Sequence, residues 1–460
     1  MTNDKATTQH TLGTNPIGRL LLQYSVPAII AAVATSLYNI VDSIFIGRGV
    51  GAMAISGLAV TFPLMNLVVG FSTLVAAGGA TISSIFLGQK NLNRAKDTIN
   101  NVLFLCIVHS IIFGGLSLLF LDEILYFFGA TEETIPYARE FMEIILYGTP
   151  ISYVFIGLNN LMRATGYPKK AMVSALLSVV VNIVFAPIFI FVFEWGIKGA
   201  ALATILGQLT AFVWVIIHFM SKNSIVYFDR HRKWVSWSLV KRIYAIGMSP
   251  LLMNATACFV VVFINKSLLN VAGDLGNIAI GSYGIMNRTT MFFVMIVFGV
   301  TQGMQPILGY NYGASQWNRV AETLRKGIWI GVSITTIGWI ATELFPDAIS
   351  SLFTTDETMI TIARDGFRIF FIAYPVIGAQ IVIQNYFQSI GHPKLSIFLS
   401  LTRQLIFLVP LLWLLPRYMG INGVWASMAV SDILAFILAV VTLLVINRRF
   451  QQEISAATTK

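Results

Sequence analysis

Twelve apolar runs of 19 to 33 residues leave this chain no soluble fold. They fall at about 20–46, 55–87, 98–121, 137–162, 171–193, 199–220, 243–269, 278–308, 327–345, 366–390, 395–415 and 421–446. About 20 helical residues cross a hydrocarbon core of ~30 Å, and only helices or closed barrels satisfy their backbone in lipid. Each run is therefore expected to be a membrane-spanning helix, and the chain an all-α integral membrane protein. Charged residues make up 11% of its 460 residues, against about 25% in soluble domains. The polar first seventeen residues show no cleavable signal pattern, so the first run reads as an uncleaved anchor.

Mapping the charge explains the net +10. With the N-terminus inside, the inner segments hold 21 of the 30 Lys and Arg, among them Lys90, Arg94, Lys96, Arg163, Lys169, Lys170, Arg319, Arg325 and Lys326. The outer side holds six: Arg48, Arg139, Lys198, Lys266, Arg364 and Arg417. That bias is the positive-inside rule and predicts a multi-pass membrane protein with both termini cytoplasmic. It also accounts for the basic balance without nucleic acid. The outer loops are acidic instead, with Asp122, Glu123, Glu132 and Glu133 in one and Asp347, Asp356 and Glu357 in another. Cys106 and Cys258 lie inside apolar runs and read as buried side chains. The five histidines show no ligand spacing, so no metal site or cofactor is expected.

The chain is written twice. GYPKK (166–170) recurs as GHPKL (391–395), and WGIKGAALATILGQLTAF (195–212) as MGINGVWASMAVSDILAF (419–436). Ala138-Arg139 matches Ala363-Arg364, Pro150 matches Pro375, and Asn93-Arg94 matches Asn318-Arg319. Six spans per repeat return the chain to its starting side, so the repeats are parallel. The expected architecture is two six-helix parallel-repeat bundles, an N-lobe and a C-lobe, around a central cavity. The divisions are an N-terminal tail (1–19), the N-lobe (20–220), an inter-lobe loop (221–242), the C-lobe (243–447) and a C-terminal tail (448–460). The loop carries Lys222, Arg230, Arg232, Lys233, Lys241 and Arg242 with Trp234 and Trp237. It reads either as a lipid-surface tether or as ordinary positive-inside charge with interfacial aromatics. Parallel repeats favour a transporter, although channels can also be duplicated. No P-loop, voltage-sensor ladder, potassium-filter motif or catalytic triad is present, so the chain reads as neither an ATP-driven pump nor an enzyme.

Polar residues inside the spans are the candidate sites. Thr35, Tyr38, Asn39 and Asp42 fall at i, i+3, i+4 and i+7, one face of the first span. Asn182 and Thr204 lie at similar outer depth in spans five and six. Carboxylate, amide and hydroxyl oxygens suit a hard cation, and equally a protonatable carboxyl in a hydrogen-bonded pocket. Arg403 and Asp432, near the middle of spans eleven and twelve, read as a structural ion pair, with a second coupling site as the alternative. Their repeat mates are Ser178 and Gln208; the mate of Asn182 is Phe407. Asn159 and Gln384 are mated amides, and Gln380 shares a face with Gln384. These amides, with Gln208 and Met286, read as lining for a substrate cavity or as helix–helix contacts. The sequence assigns no partners to Arg288 and Arg368.

Pro27, YNIVDSIFIGR (38–48), TQGMQPILGYNYGA (301–314), the two GxPK loops and the duplicated twelve-span layout resemble the multidrug and toxic compound extrusion (MATE) family, over residues 16–450. Within it the chain is similar to the bacterial branch named for a DNA-damage-inducible member. The resemblance implies a secondary active multidrug antiporter exporting organic cations in exchange for protons or sodium. It implies a coupling-ion site of Asp42, Asn182, the Ala200 carbonyl and Thr204, and a bend of the first helix at Pro27. The chain departs from the family's N-x-x-x-D-P in span five by reading NIVFAP, with Ala186 where a second acid is common. That weakens a sodium site and favours protons. Expected partners are the lipid bilayer and small organic cations, with the chain monomeric. The alternatives are a lipid-linked saccharide flippase of the same superfamily and a passive channel.

Overall fold

The computed structural model describes residues 11–222, 224–229 and 231–458. Arg230 and the outermost residues of both expected tails lie outside these. Twelve spans are present among the described residues. They are α1 (Ile17–Gly49), α2 (Ala52–Gly88), α3 (Leu92–Leu119), α4 (Ile135–Tyr147 with Thr149–Ala164), α5 (Pro168–Val192), α6 (Gly196–Met220), α7 (Trp237–Ala272), α8 (Gly276–Gly313), α9 (Trp317–Leu344), α10 (Glu357–Ser389), α11 (Pro393–Met419) and α12 (Ile421–Thr458). Their length and apolarity make this a multi-pass membrane protein.

Breaks in α4, α5 and α10 lie beside prolines. α4 bends by 56° between its two segments, at Gly148 and Pro150. The mate Pro375 follows a 3₁₀ turn at Phe371–Ala373. Proline supplies no N–H to the preceding turn, so both repeats loosen there. Pro187 precedes a π turn at Ile188–Val192, and α11 carries a longer one at Thr402–Leu408. Pro27, by contrast, sits inside an α1 that runs unbroken from Ile17 to Gly49.

The duplication extends to backbone and charge. Gly166 and Gly391 take φ +104° and +78°, Gly196 and Gly420 +57° and +59°, and Lys90 and Ser315 both +57°. Glycine enters this left-handed region without steric cost, so the loop motifs repeat because the turns do. On the side opposite the termini, Arg139 meets Asp122 at 3.1 Å, and their mates Arg364 and Asp347 meet at 2.6 Å.

The chain divides into two compact units that cut across the sequence halves. Unit 1 is 1–255 with 302–323 and 389–393; unit 2 is 256–301, 324–388 and 394–460. In unit 1 the described residues of the 221–236 loop are pinned to the start of α3. Asn100 donates to the Asp229 carbonyl at 3.1 Å, Asn101 accepts from the Ser236 amide at 2.8 Å, and Lys96 and Arg232 face Asp229 and Asp97. Trp234 and Trp237 stay exposed.

Candidate functional site

In unit 1, α1 packs against α5 and α6. Its far end leans on the π turn of α5, where Phe45 and Phe191 meet edge to face at 6.3 Å. At 1.5 Å per residue, Asp42, Asn182 and Thr204 lie about 10–15 Å from the helix ends opposite the termini, so the three share one depth. Asn182 donates its amide to Thr204 Oγ1 at 3.1 Å, and that hydroxyl donates to the Ala200 carbonyl at 3.1 Å. Asn182, Ala200 and Thr204 are buried. Asp42 is 8% exposed, and its Oδ1 is buried without a hydrogen bond among the described residues. Tyr38, one turn before Asp42 on α1, is near enough to interact with Asp42 and with the Thr204 side chain. Ala186 is fully buried in the same helix as Asn182.

One turn to two turns before Asp42, the polar face of α1 opens. Asn39 and Thr35 are exposed, with the Thr35 hydroxyl turned back to the Ala31 carbonyl at 2.8 Å. The face therefore runs from open positions down to a buried acid that lacks a donor at Oδ1.

Three of the other expected cavity residues, Asn159, Gln208 and Met286, make contacts between helices. Asn159 is buried, with its amide donating to the Ala171 carbonyl at 2.8 Å and to Ser174 Oγ at 2.6 Å. It ties α4 to α5, the helix–helix reading that the sequence left open. Met286 is fully buried against Gly366 in unit 2, the packing that the sequence offered beside a cavity wall. A flexible thioether fills the space beside a glycine. Gln208 is half-buried and accepts from Ser152. Gln380 and Gln384 are buried, and Gln380 Oε1 has no hydrogen-bond partner among the described residues. In unit 2 Arg403 Nε donates to Asp432 Oδ1 at 2.6 Å. Arg288 lies 6.0 Å from the Phe353 ring, and Arg368 is exposed.

The 301–314 motif has a role that its sequence did not disclose. Within unit 1 it forms the seam at the terminus side. Gln302 accepts from Arg163, and Gln305 donates to Thr81 Oγ1 at 2.8 Å. Gly303 lies on Ser25, Gly309 on Ser84 and Gly313 on the Ile85 backbone, while Gly88 lies on the Tyr310 backbone. Asn311 and Arg319 hold the chain before α1, the latter donating to the carbonyls of Leu12 at 3.0 Å and Asn15 at 2.7 Å. On α7, Gly247 lies against Leu74 and Ile243 against Gly78. Glycines spaced along these helices were the one sequence signal for close approach.

A family model described as MatE matches residues 27–188 and 254–414, one stretch in each repeat. The chain belongs to the MatE family. The multidrug export protein MepA of Staphylococcus aureus is 26% identical to this MatE chain over 442 residues, 96% of each. Among solved structures, the MATE multidrug transporter DinF-BH is 34% identical, with a TM-score of 0.86 over 94% of this chain and 96% of that one. A MATE in complex with MaL6 gives a TM-score of 0.88 at 21% identity, over 98% and 99%. The twelve-helix MATE fold is thus shared along nearly the whole MatE chain.

Proposed function

We propose that this MatE protein is a multidrug exporter that exchanges an organic cation for a proton by alternating access, with Asp42 as the coupling acid. Kinship to MepA and DinF-BH supports export of several compounds. The observation that carries the coupling is the buried Asp42 Oδ1 without a hydrogen bond. A carboxylate so placed is satisfied by a bound proton or by a positively charged ligand, and neutralising it by one removes its attraction for the other.

The surroundings favour the proton. A sodium ion at Asp42 would draw on the Thr204 and Ala200 oxygens, which already share a hydrogen bond with each other, with Asn182 completing the chain. Ala186 supplies no second carboxylate. A proton needs Asp42 alone.

With the termini cytoplasmic, as the charge bias indicates, the cycle follows. A cargo cation enters along the Thr35–Asn39 face and lies near ionised Asp42. A proton from outside neutralises Asp42 and the cargo leaves outward. The seam of α2 with the ends of α7 and α8 then opens to the cytoplasm, where the proton departs and new cargo binds. Pro27, lacking one backbone bond, lets α1 flex during the change. Exchanging one proton for one monovalent cation moves no net charge, so ΔpH alone drives the step, at about 1.36 kcal/mol per unit.

The test is transport of a fluorescent cation in proteoliposomes with imposed gradients. Uptake against the cation's gradient under ΔpH in sodium-free buffer is expected. An absolute requirement for sodium would overturn the proton, and dissipation only down the cation's own gradient would indicate a channel.

A further inference from the structure

Arg403 and Asp432 reach the same depth from opposite sides of the membrane. Arg403 is ten residues from the start of α11 at Pro393, and Asp432 eleven from the start of α12 at Ile421. At 1.5 Å per residue both lie about 15 Å in, the middle of a ~30 Å core. Lipid headgroups do not reach that depth.

The two partners are not equally enclosed. Asp432 is 2% exposed, whereas the Arg403 side chain is 30% exposed. Arg403 gives only its Nε to Asp432, and neither terminal nitrogen makes a hydrogen bond among the described residues. A guanidinium cannot donate to hydrocarbon, and a charge facing acyl chains is costly. An edge so exposed is satisfied only by water or a polar ligand. Asp432 holds the Nε side and fixes the plane, leaving four N–H groups in a planar fork.

Backbone and sequence have both changed at this point. Thr402–Leu408 is π-helical, a form frequent at functional sites. The repeat mates of the ion pair, Ser178 and Gln208, sit in ordinary α-helix and are uncharged. Beside the pair, Gln404 accepts from Thr256, and Tyr374 lies within electrostatic range of both charges with its hydroxyl anchored on the Thr290 carbonyl at 2.9 Å.

We propose that Arg403 is a specificity-determining residue of unit 2 that binds a carboxylate on the cargo, with Asp432 as its positioning residue. A planar fork with two free nitrogens matches a carboxylate in a bidentate pair, which a lysine cannot reproduce. The ligand class is an amphiphile carrying a carboxylate as well as a cation. This rests on the export reading for its physiological meaning, but the binding step does not require it.

The test compares two dyes on one ring system: a rhodamine with a free benzoate and its ethyl ester, a plain cation. Binding to purified protein is followed by fluorescence anisotropy, and export by vesicle transport. Arg403→Lys keeps the ion pair, and Arg403→Met with Asp432→Asn removes both charges together. Each is expected to weaken the free acid relative to the ester, by at least tenfold in Kd for the double variant. The exchanged pair Arg403→Asp with Asp432→Arg restores attraction between the helices and is expected not to restore the ratio. If the ratio stays at its wild-type value in both of the first two variants, or if the exchanged pair recovers it, the pair only holds helices together and the proposal fails. Wild-type protein that binds the acid through Arg403 yet transports neither dye would refute the export reading alone.

Discussion

Arg319 donates to the carbonyl oxygen of Asn15 at 2.7 Å, across 304 residues of sequence. The same guanidinium holds Leu12 and Asn311, so one side chain straps the entry of α1 to the end of α8. All three acceptors are neutral. Each hydrogen bond from a charged donor contributes about 1.5–3 kcal/mol, so the three together are enough to hold the seam. Arg319→Gln is expected to lower the Tm in detergent and to increase maleimide labelling of Ser84→Cys from the terminus side. Unchanged labelling would show that the strap does not hold the seam.

Gly88 and Gly313 meet backbone, not a side-chain tip. A rotamer change cannot relieve a Cβ placed there, and overpacking costs about 1–3 kcal/mol. Gly88→Ala and Gly313→Ala should insert normally and lose most export. Gly115→Ala, in open space on α3, should export as the parent does.

Asp42→Asn removes the charge while keeping the shape. Export of a cationic dye is expected to fall to background at matched membrane abundance. Normal transport by this variant would remove Asp42 from the coupling scheme.

Thr204→Val takes away both the acceptor for Asn182 and the donor to Ala200. Leaving a buried amide unpaired costs about 1–3 kcal/mol. Lower thermal stability with reduced, still sodium-independent export is expected; an acquired sodium dependence would contradict the proton assignment.

The repeated outer ion pair should matter least. Arg139 and Asp122 are well exposed, and such pairs contribute about 0–1 kcal/mol. Asp122→Asn should leave both Tm and export near parental values.

Local composition was enough to determine that the chain crosses a bilayer twelve times. Each span satisfies its own backbone, so its length can be read without knowing its neighbours. Duplication was equally legible, because Gly166 with Gly391 and Gly196 with Gly420 mark turns that only a few residues define. The charges at Arg403 and Asp432 had few possible mates, and their pairing followed from scarcity. What surrounds Asp42, and whether Asn159 and Met286 face a cavity or a helix, depended on side chains brought together from distant parts of the chain. The 301–314 motif shows the same limit: its glycines permit close approach, but only the fold decides that the motif meets α2, Arg163 and the segment before α1. Periodicity sets which face of a helix is polar or small; what that face touches is set by packing among helices far apart in sequence.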